Sequence, residues 1–365
     1  MDRIAQFPDE IVFAVCERFL TGQGEGATKI AEWLREEKTL PVTREMIYPL
    51  IAEGIRREYL ILHAPEAHTA AQRIADRYHV PLDAVRVVAV RGLSAIEHVA
   101  YHAAEVAADT IRRLGTHKSR VHIGLGAGAM TVAVARHLAD RLHMEDGFPD
   151  LTLHALSSGF SVHTPQMAPV SFFSFFHDAK PSIKYVGLFA QAIVTSDEYE
   201  RVKQAPGVSE SFEAAAEIDL VITSLASAQD GHGDLSHFME VAAEKKKDAT
   251  AAAKLEQLRA AGWRGDVQYR PYSATGPIVM DTGVRALTLF ELSDLVRLGA
   301  TQNKEVILVA GPCGVCATSK ADALVPLLIE PTLRVWTRLI MDVATAEELV
   351  PNLGTSRSAA SASPR

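Results

Sequence analysis

"VHIGLGAGAMTVAVARHLADRL", residues 121–142, joins a short apolar run to a helical pattern through a loop with three glycines. Gly124, Gly126 and Gly128 stand at alternate positions between the two patterns. Glycine lets the backbone come close to a ligand, and the following helix offers unpaired N–H groups and the positive end of its dipole. The stretch therefore predicts a strand, a turn and a helix around a small anion such as a phosphate or a carboxylate.

Two other interpretations of this loop stay open. The segment "GLGAGA" also fits the GxGxx[GA] pattern of dinucleotide-binding folds, which need an acidic residue at the end of the next strand to hold the ribose. Here the next predicted strand, "LTLHAL" at 151–156, is followed by Ser157 and Ser158. We therefore predict no dinucleotide and no other cofactor. The second alternative is a tight turn that holds no ligand.

Strands and helices alternate on both sides of the loop. Helical periodicity covers residues 93–114 and 130–142, and each helix is followed by a short apolar strand. Such alternation indicates βαβ units, so we predict an α/β domain over residues 89–352 with a Rossmann-like, mostly parallel sheet. The predicted strands lie within residues 84–90, 120–125, 151–156, 184–194, 218–226, 304–311 and 338–350.

Residues 1–62 predict a separate all-α domain. Apolar residues recur at helical spacing in three segments, and Thr43 is a candidate N-cap for the third. Three short helices followed by an apolar extended run are typical of a winged helix-turn-helix, although any small helical subdomain shares the pattern. The remaining predicted segments are a linker helix within residues 63–88 and a disordered polar tail at 353–365.

The bulk composition points to a cytoplasmic protein. The 365 residues carry a formal net charge of −8, which argues against a general polyanion binder. No apolar run approaches the roughly 18 residues of a membrane span, and the first ten residues lack the apolar region of a secretion signal. Three cysteines do not make a disulfide framework.

Cys313 and Cys316 form a CxxC pair just after the strand predicted at 304–311. A thiol near a helix N-terminus has a lowered pKa, so redox chemistry is one interpretation, and half of a zinc site is another. A third is a small-residue loop at the end of a parallel strand, where α/β proteins bind ligands. The 14 histidines show no HExxH-type spacing, so we predict no metal site and leave the role of the pair open.

With these features in order, the chain resembles the SorC/DeoR-type transcriptional regulators. These join a helix-turn-helix to a sugar-phosphate-sensing domain that is itself similar to sugar-phosphate isomerases. The similar segments are "GATKIAEWL" (26–34), "VTREMIYPLIAEGIRREYLIL" (42–62), "IGLGAGAMT" (123–131), "IDLVITSLAS" (218–227), "GWRGDVQYRPYSATG" (262–276), "LTLFELSDL" (287–295), "VILVAGPCGVCATSKADALVPLL" (306–328) and "LIMDVATAEELV" (339–350).

The resemblance implies a sugar-phosphate effector, with Lys320 contacting its phosphate. Three departures leave the identity of the sugar open. Met130 stands where the family usually has a hydroxyl residue, with Thr131 one position later, and the usual last glycine pair is replaced by Gly-Pro and the CxxC insertion. The segment "SSGF" (157–160) replaces another glycine pair. The predicted effector-binding residues are Gly124, Gly126, Ala127, Gly128, Ala129, Met130, Thr131, Ser158, Gly159, Asp266, Arg270 and Lys320.

The helix-turn-helix departs further from a typical DNA reader. Residues 1–62 carry eight Lys and Arg against eleven Asp and Glu, a net charge of −3, whereas phosphate contacts require cations. Pro49 lies inside the presumed recognition helix and would kink it unless the helix starts late. The predicted DNA-binding residues are Lys38, Thr43, Arg44, Tyr48, Arg56 and Arg57.

The functional prediction is a regulator of carbohydrate metabolism that binds an operator as a homodimer or homotetramer and catalyses nothing. A sugar phosphate would change its operator affinity by a population shift. One alternative is a sugar-phosphate isomerase, deaminase or lyase on the related fold, with Asp266, Glu291 and Lys320 as candidate groups. Another is a regulator that has lost DNA binding and acts through protein contacts.

Overall fold

The computed structural model describes residues 4, 6–21, 25–57, 59–60, 62–159, 164–241, 249–280 and 283–351. The chain divides into two compact units, Met1–His63 and Ala64–Arg365. The polar tail predicted at 353–365 lies outside the described residues. Within the described part of the chain, every helix is too short or too polar to cross a membrane.

The N-terminal unit consists of three helices, α1 (Asp9–Thr21), α2 (Ala27–Glu36) and α3 (Arg44–Arg56). Their apolar faces meet in one core because the buried residues recur at helical spacing. Gly54 allows α3 to approach α1, since a Cβ at this position would lie 2.2 Å from the sulfur of Cys16. The buried core residues are Val12, Val15, Cys16, Ala27, Ile30, Ala31, Leu34, Val42, Ile47 and Leu50.

Helix α3 begins at Arg44, after the predicted N-cap Thr43, and Pro49 lies inside it as predicted, where its ring nitrogen has no hydrogen to donate. The predicted wing strand is absent from the described residues between 57 and 63. The backbone N–H groups of Tyr59 and Leu60 donate instead to the carbonyl of Gly54, at 2.8 and 3.4 Å, so the chain turns back onto the end of α3.

The second unit is an α/β domain. Its helices are α4 (His68–Tyr78), α5 (Ala95–Gly115), α6 (Ala129–Met144), α7 (Pro169–Phe172), α8 (Tyr199–Lys203), α9 (Ser209–Ala214), α10 (Asp234–Glu240), α11 (Ala249–Ala260), α12 (Leu292–Gly299), α13 (Ala321–Ile329) and α14 (Val343–Leu349). Its strands are β1 (Val85–Val88), β2 (Arg120–Leu125), β3 (Asp150–Ala155), β4 (Ile183–Val186), β5 (Ile193–Thr195), β6 (Leu220–Ser227), β7 (Gly265–Val267), β8 (Arg270–Ser273), β9 (Gly276–Pro277), β10 (Val284–Ala286), β11 (Glu305–Ala310) and β12 (Arg338–Asp342).

Seven of the described strands form one parallel sheet in the order β1–β12–β11–β6–β2–β3–β4. Strands β3 and β4 extend it from β2 in one direction, whereas β11, β12 and β1 extend it from β6 in the other. The strand order therefore reverses between β2 and β6, which is where open α/β sheets bind ligands. The predicted fold, a mostly parallel Rossmann-like sheet with an all-α N-terminal unit, is confirmed.

Apolar layers cover both faces of the sheet. The sheet lies between these two layers. Val221 and Ile222 are neighbours on β6, but Val221 belongs to one buried cluster and Ile222 to the other. Helices α5 and α6 cover the Ile222 side, while α4, α12, α13 and α14 contribute to the Val221 side. Such two-sided burial explains why the central strands read as continuous apolar runs.

The segment predicted as a linker, residues 63–88, contributes to this same unit. Ile74 of α4 is fully buried in the core of the sheet, and β1 pairs in parallel with β12. The alternating small and apolar residues of α4 bury one face because the helix packs on β1 and α14. The α/β unit therefore begins at Ala64 rather than after a free-standing connector.

An antiparallel extension was not predicted from the sequence. Strand β7 pairs with the end of β6, β8 pairs with β7, and β9 pairs with β8. The two residues that connect β7 to β8, Gln268 and Tyr269, have φ values of 53° and 58°. A two-residue hairpin turn of this kind requires positive φ at both positions, which Gly and Asn usually provide. Neither residue type signals this turn.

Candidate functional site

A cavity of about 340 Å³ lies at the carboxyl ends of β2, β6 and β11. The residues that line it come from the glycine loop after β2, the loop after β6, the β7–β8 hairpin and the loop after β11, together with Ile96, Thr164 and Met167. The parallel strands bring these segments to one edge of the sheet, beside the point where the strand order reverses. Of the predicted effector-binding residues, those that line the cavity are Ala127, Gly128, Ala129, Met130, Asp266 and Lys320.

The glycine loop closes tightly on its neighbours. A Cβ at Gly126 would lie 2.6 Å from Nε2 of Gln268 and 2.7 Å from Oγ1 of Thr223. Gly128 has a φ of 107°, which a side chain would strain. Helix α6 starts at Ala129, so its first N–H groups have no carbonyl partner within the helix. The loop therefore presents backbone donors and a helix dipole to the cavity.

Met130 takes the place of the expected hydroxyl residue at the cavity wall. Its methyl group packs on Gly311, where a Cβ would lie 1.9 Å from Cε of Met130. Thr131 is 1% exposed, and its Oγ1 donates to the carbonyl of Ala127 at 3.4 Å. The hydroxyl that follows Met130 is thus turned into the interior, and this wall of the cavity is apolar.

Three further predicted residues lie elsewhere. Among the described residues that line the cavity, neither Ser158 nor Gly159 occurs, and the Ser158 hydroxyl donates to the carbonyl of Ala190 at 2.5 Å. Arg270 lines a different cavity, of about 560 Å³. Its guanidinium lies 2.8 Å from Glu291 and donates to the carbonyl of Ala286 at 2.9 Å, which explains its burial without a ligand.

A lysine and a buried carboxyl both line the cavity. Nζ of Lys320 donates to the carbonyl of Leu225 at 2.8 Å, and burial lowers the pKa of this lysine. Asp266 is 4% exposed, and burial, reinforced by repulsion from Asp234, raises the pKa of Asp266 to about 7. One oxygen of Asp266, Oδ2, has no hydrogen-bond partner among the described residues.

The β7–β8 turn adds polar groups that the sequence analysis missed. The side chain of Gln268 donates through Nε2 to Oγ1 of Thr223 at 2.7 Å, while its buried Oε1 has no partner within the described part of the chain. The hydroxyl of Tyr269 donates to Asp234 at 3.3 Å. Buried polar atoms are nearly always hydrogen-bonded, so the unpaired oxygens of Gln268 and Asp266 point to a bound polar molecule.

Cys313 of the CxxC pair lines the same cavity. Sγ of Cys313 is 3.4 Å from Nδ1 of His232, which lies on the loop after β6. Burial raises the pKa of Cys313, whereas hydrogen bonding to Thr318 lowers the pKa of Cys316 to about 7. Helix α13 begins only at Ala321, so its dipole does not explain either thiol. The sequence analysis did not pair His232 with the thiols.

Three solved structures define the relationship of this fold to known proteins. The full-length sorbitol operon regulator SorC from Klebsiella pneumoniae has a TM-score of 0.61 and 14% identity over 94% of this chain and 99% of its own. The chain has the fold of a SorC-type regulator. A probable sor operon regulator from Shigella flexneri has a TM-score of 0.57 and 14% identity, over 77% of this chain and 98% of its own.

A DeoR family transcriptional regulator from Listeria monocytogenes shares 18% identity at a TM-score of 0.51, over 77% of this chain and 98% of its own. No protein-family model matches the sequence, and no curated protein sequence matches it. At these identities the likeness describes the fold, and the resemblance to SorC/DeoR-type regulators predicted from the sequence is confirmed at that level.

In the N-terminal unit of this SorC-type fold, some of the predicted DNA-binding residues are exposed and others are paired with a carboxylate. Lys38, Thr43, Arg44 and Tyr48 are exposed, and the last three lie at the start of α3.

Arg56 and Arg57 are instead paired with Glu53. Their Nε atoms donate to opposite oxygens of that carboxylate, each at 2.7 Å. Arg57 also donates to the carbonyl of Phe7 at 2.9 Å, so its function is to join the helices.

Proposed function

We propose that this protein is a DNA-binding regulator of carbohydrate metabolism whose operator affinity changes when a sugar phosphate binds the 340 Å³ cavity. The observation that carries the proposal is that two phosphate-directed elements, the start of α6 and Lys320, line the same cavity as two unpaired buried oxygens. The fold shared with regulators of sorbitol operons supports it.

The phosphate end of the ligand would lie against the glycine loop. Backbone N–H groups at the start of α6 and the dipole of that helix favour an anion, and Lys320 adds a full positive charge. Hydrogen bonds that involve a charged group contribute about 1.5–3 kcal/mol each. Because the pKa of Lys320 is lowered by burial, a bound dianion would also stabilise its protonated form.

The hydroxyl end would lie between Asp266 and Gln268. Each has a buried oxygen without a partner in the described structure, and sugar hydroxyls are donors of the right kind. The apolar side chain of Met130 covers the neighbouring wall, so position 130 offers no hydroxyl to the ligand. The cavity therefore favours a small polyol phosphate with an apolar edge over a fully hydroxylated one.

The N-terminal unit would contact DNA through the start of α3. Arg44 and Lys38 provide exposed cations, whereas Arg56 and Arg57 are paired with Glu53, and Arg57 also with Asp9. With so few exposed cations, a single chain would bind DNA weakly. We therefore propose that operator binding requires a homodimer or homotetramer. Effector binding would shift the population between oligomer geometries that match the operator and those that do not.

A ligand screen tests the effector part of the proposal. We expect at least one pentose or hexose phosphate to raise the unfolding temperature of the full chain, by more than inorganic phosphate or the parent sugar does. Uniformly unchanged unfolding temperatures across the screen would overturn this part. The parent sugars separate phosphate recognition from general stabilisation by polyols.

A mobility-shift assay tests the regulator part. We expect retention of DNA taken from upstream of the protein's own operon, no comparable retention of random DNA of equal length, and a change in affinity when the screened ligand is added. Sedimentation of the protein with the same DNA gives the oligomer that binds. Equal retention of both DNAs would contradict sequence-specific recognition.

The second candidate function is an enzyme, because two of its three candidate groups, Asp266 and Lys320, do line one cavity. Glu291, the third, is the N-cap of α12 and is bound by Arg270 and Arg285 at the other cavity. Incubating the protein with the screened ligand and analysing the products by NMR distinguishes the two functions. Turnover without DNA retention would favour the enzyme.

A further inference from the structure

Two loops at the mouth of the cavity bring three metal-binding side chains together. Cys313 and Cys316 lie on the loop after β11, and His232 lies on the loop after β6, which is the neighbouring strand. One ligand atom from each, two sulfurs and one imidazole nitrogen, all lie within 4.8 Å of one another. Cys313 and His232 are already 3.4 Å apart at Sγ and Nδ1.

This spacing suits a tetrahedral metal. Zinc binds sulfur at about 2.3 Å and imidazole nitrogen at about 2.0–2.1 Å, which places neighbouring ligand atoms of a tetrahedron about 3.5–3.8 Å apart. The Cys313–His232 distance is close to this value, and a small closure of Cys316 brings the third ligand into range. Thiolates with an imidazole select zinc and other soft or borderline cations over magnesium or calcium.

The loops that carry these ligands are held by their own hydrogen bonds. The N–H of Cys313 donates to the carbonyl of Thr318, and the N–H of Ala317 donates to the carbonyl of Cys313, both at 2.9 Å. On the other loop, the N–H of His232 donates to Asp230 at 3.0 Å. Ligands on loops ordered in advance lose less conformational entropy when a metal binds.

We propose that His232, Cys313 and Cys316 form a zinc site at the mouth of the cavity, with the fourth position open to water or to a molecule in the cavity. The site does not depend on the proposed sugar-phosphate or DNA binding. It would join the loop after β6 to the loop after β11 and so fix two walls of the cavity relative to each other.

Metal titration of the reduced, chelator-treated full chain tests the site. We expect one equivalent of Zn²⁺ to bind in competition with a chromophoric chelator, and Co²⁺ to give a thiolate-to-metal charge-transfer band with intense tetrahedral d–d bands. Cys313→Ser, Cys316→Ser and His232→Ala should each weaken binding at least about tenfold.

Two variants serve as controls. Cys16→Ala removes the remaining thiol, which is buried in the N-terminal unit, and His237→Ala removes an exposed histidine five residues after His232. Both should bind Zn²⁺ as the unchanged protein does. Circular dichroism verifies that each ligand variant is folded.

A measurement on the unchanged protein keeps the test decisive if a ligand variant does not fold. Zn²⁺ should protect Cys313 and Cys316, mapped by mass spectrometry, from alkylation. Absence of stoichiometric binding, a cobalt spectrum without the charge-transfer band, or equal alkylation with and without Zn²⁺ would each overturn the proposal. A Cys313–Cys316 disulfide that re-forms after reduction and prevents metal binding would overturn it as well.

Discussion

At the end of α3, Glu53 accepts hydrogen bonds from Arg56 and Arg57, whereas in the α/β unit Asp266 is buried with one oxygen that has no hydrogen-bond partner among the described residues. Both carboxyls are less than 10% exposed, yet hydrogen bonds from the arginines lower the pKa of Glu53 to about 2, while burial raises that of Asp266 to about 7. The first carboxylate has its partners within the protein.

The two carboxyls therefore represent two kinds of buried group: one is paired within the protein, and the other lacks a partner that a ligand would supply. A paired carboxylate contributes to stability, and a buried unpaired one costs stability unless something else supplies its partner. Groups of the second kind concentrate at binding sites. Arg56 and Arg57 therefore belong to the helical unit, whereas Asp266 and Lys320 belong to the cavity.

The largest effect is expected at Lys320. Lys320→Met removes the cation beside the start of α6 while keeping a side chain of similar length, so affinity for the screened sugar phosphate should fall about 100-fold. Isothermal titration calorimetry measures it. Lys184→Met, at an exposed lysine on β4, should leave the affinity unchanged. Equal affinities for the Lys320 variant and the unchanged protein would contradict a phosphate at this position.

Asp266→Asn tests the unpaired carboxyl through the pH dependence of stability. With a folded pKa of about 7 against about 3.9 unfolded, Asp266 holds a proton in the folded state that the unfolded chain has released. The contribution of this proton to the free energy of unfolding is therefore fully present below about pH 4 and is lost as the pH rises through about 7. Between pH 5 and pH 8 the unchanged protein should lose about 2 kcal/mol relative to Asp266→Asn in urea unfolding.

The control is Asp140→Asn at an exposed position of α6, which should follow the pH dependence of the unchanged protein. If the unfolding free energies of Asp266→Asn and the unchanged protein depended on pH in the same way, Asp266 would be ionised in the folded state and would have a partner.

The sequence predicted the framework of the α/β unit well, for a physical reason. Strand β2 was placed correctly at residues 120–125, and α6 begins one residue before its predicted start. Both are long or continuous apolar patterns next to glycines, so local signals determine them. The parallel orientation of the central strands followed from their alternation with helices, whereas their order in the sheet was not predicted.

The features that the sequence did not predict depend on tertiary contacts. The β7–β8 turn consists of Gln268 and Tyr269, which carry no turn signal, and His232 is 81 residues before Cys313. Among the described residues of the predicted wing, Tyr59 and Leu60 fold back on Gly54 instead of forming a strand. Arg56 and Arg57 were predicted to bind DNA, although their helical spacing of three and four residues from Glu53 is the spacing of an ion pair.

Gly126→Ala tests how closely the glycine loop and the β7–β8 turn approach each other. The added methyl group would lie 2.6 Å from Gln268 and 2.7 Å from Thr223, so one of them must move and their hydrogen bond must lengthen. We expect a loss of about 1–2 kcal/mol in unfolding free energy. Gly26→Ala, where the methyl group meets open space, should change it little. Unaltered stability of Gly126→Ala would show that the loop and the turn are farther apart.

The smallest expected effect is on DNA binding, and it compares an exposed arginine with a paired one in the N-terminal unit. Arg44→Ala should weaken operator binding about fivefold and reduce the slope of log K against log salt concentration by about 0.9, because one phosphate contact is lost. Arg56→Ala should leave the slope unchanged, since Glu53 already neutralises that guanidinium. The slopes are measured by fluorescence anisotropy across a salt series. A reduced slope for Arg56→Ala would mean that DNA displaces Glu53 from Arg56, and the distinction between structural and ligand-directed charges would then fail in this unit.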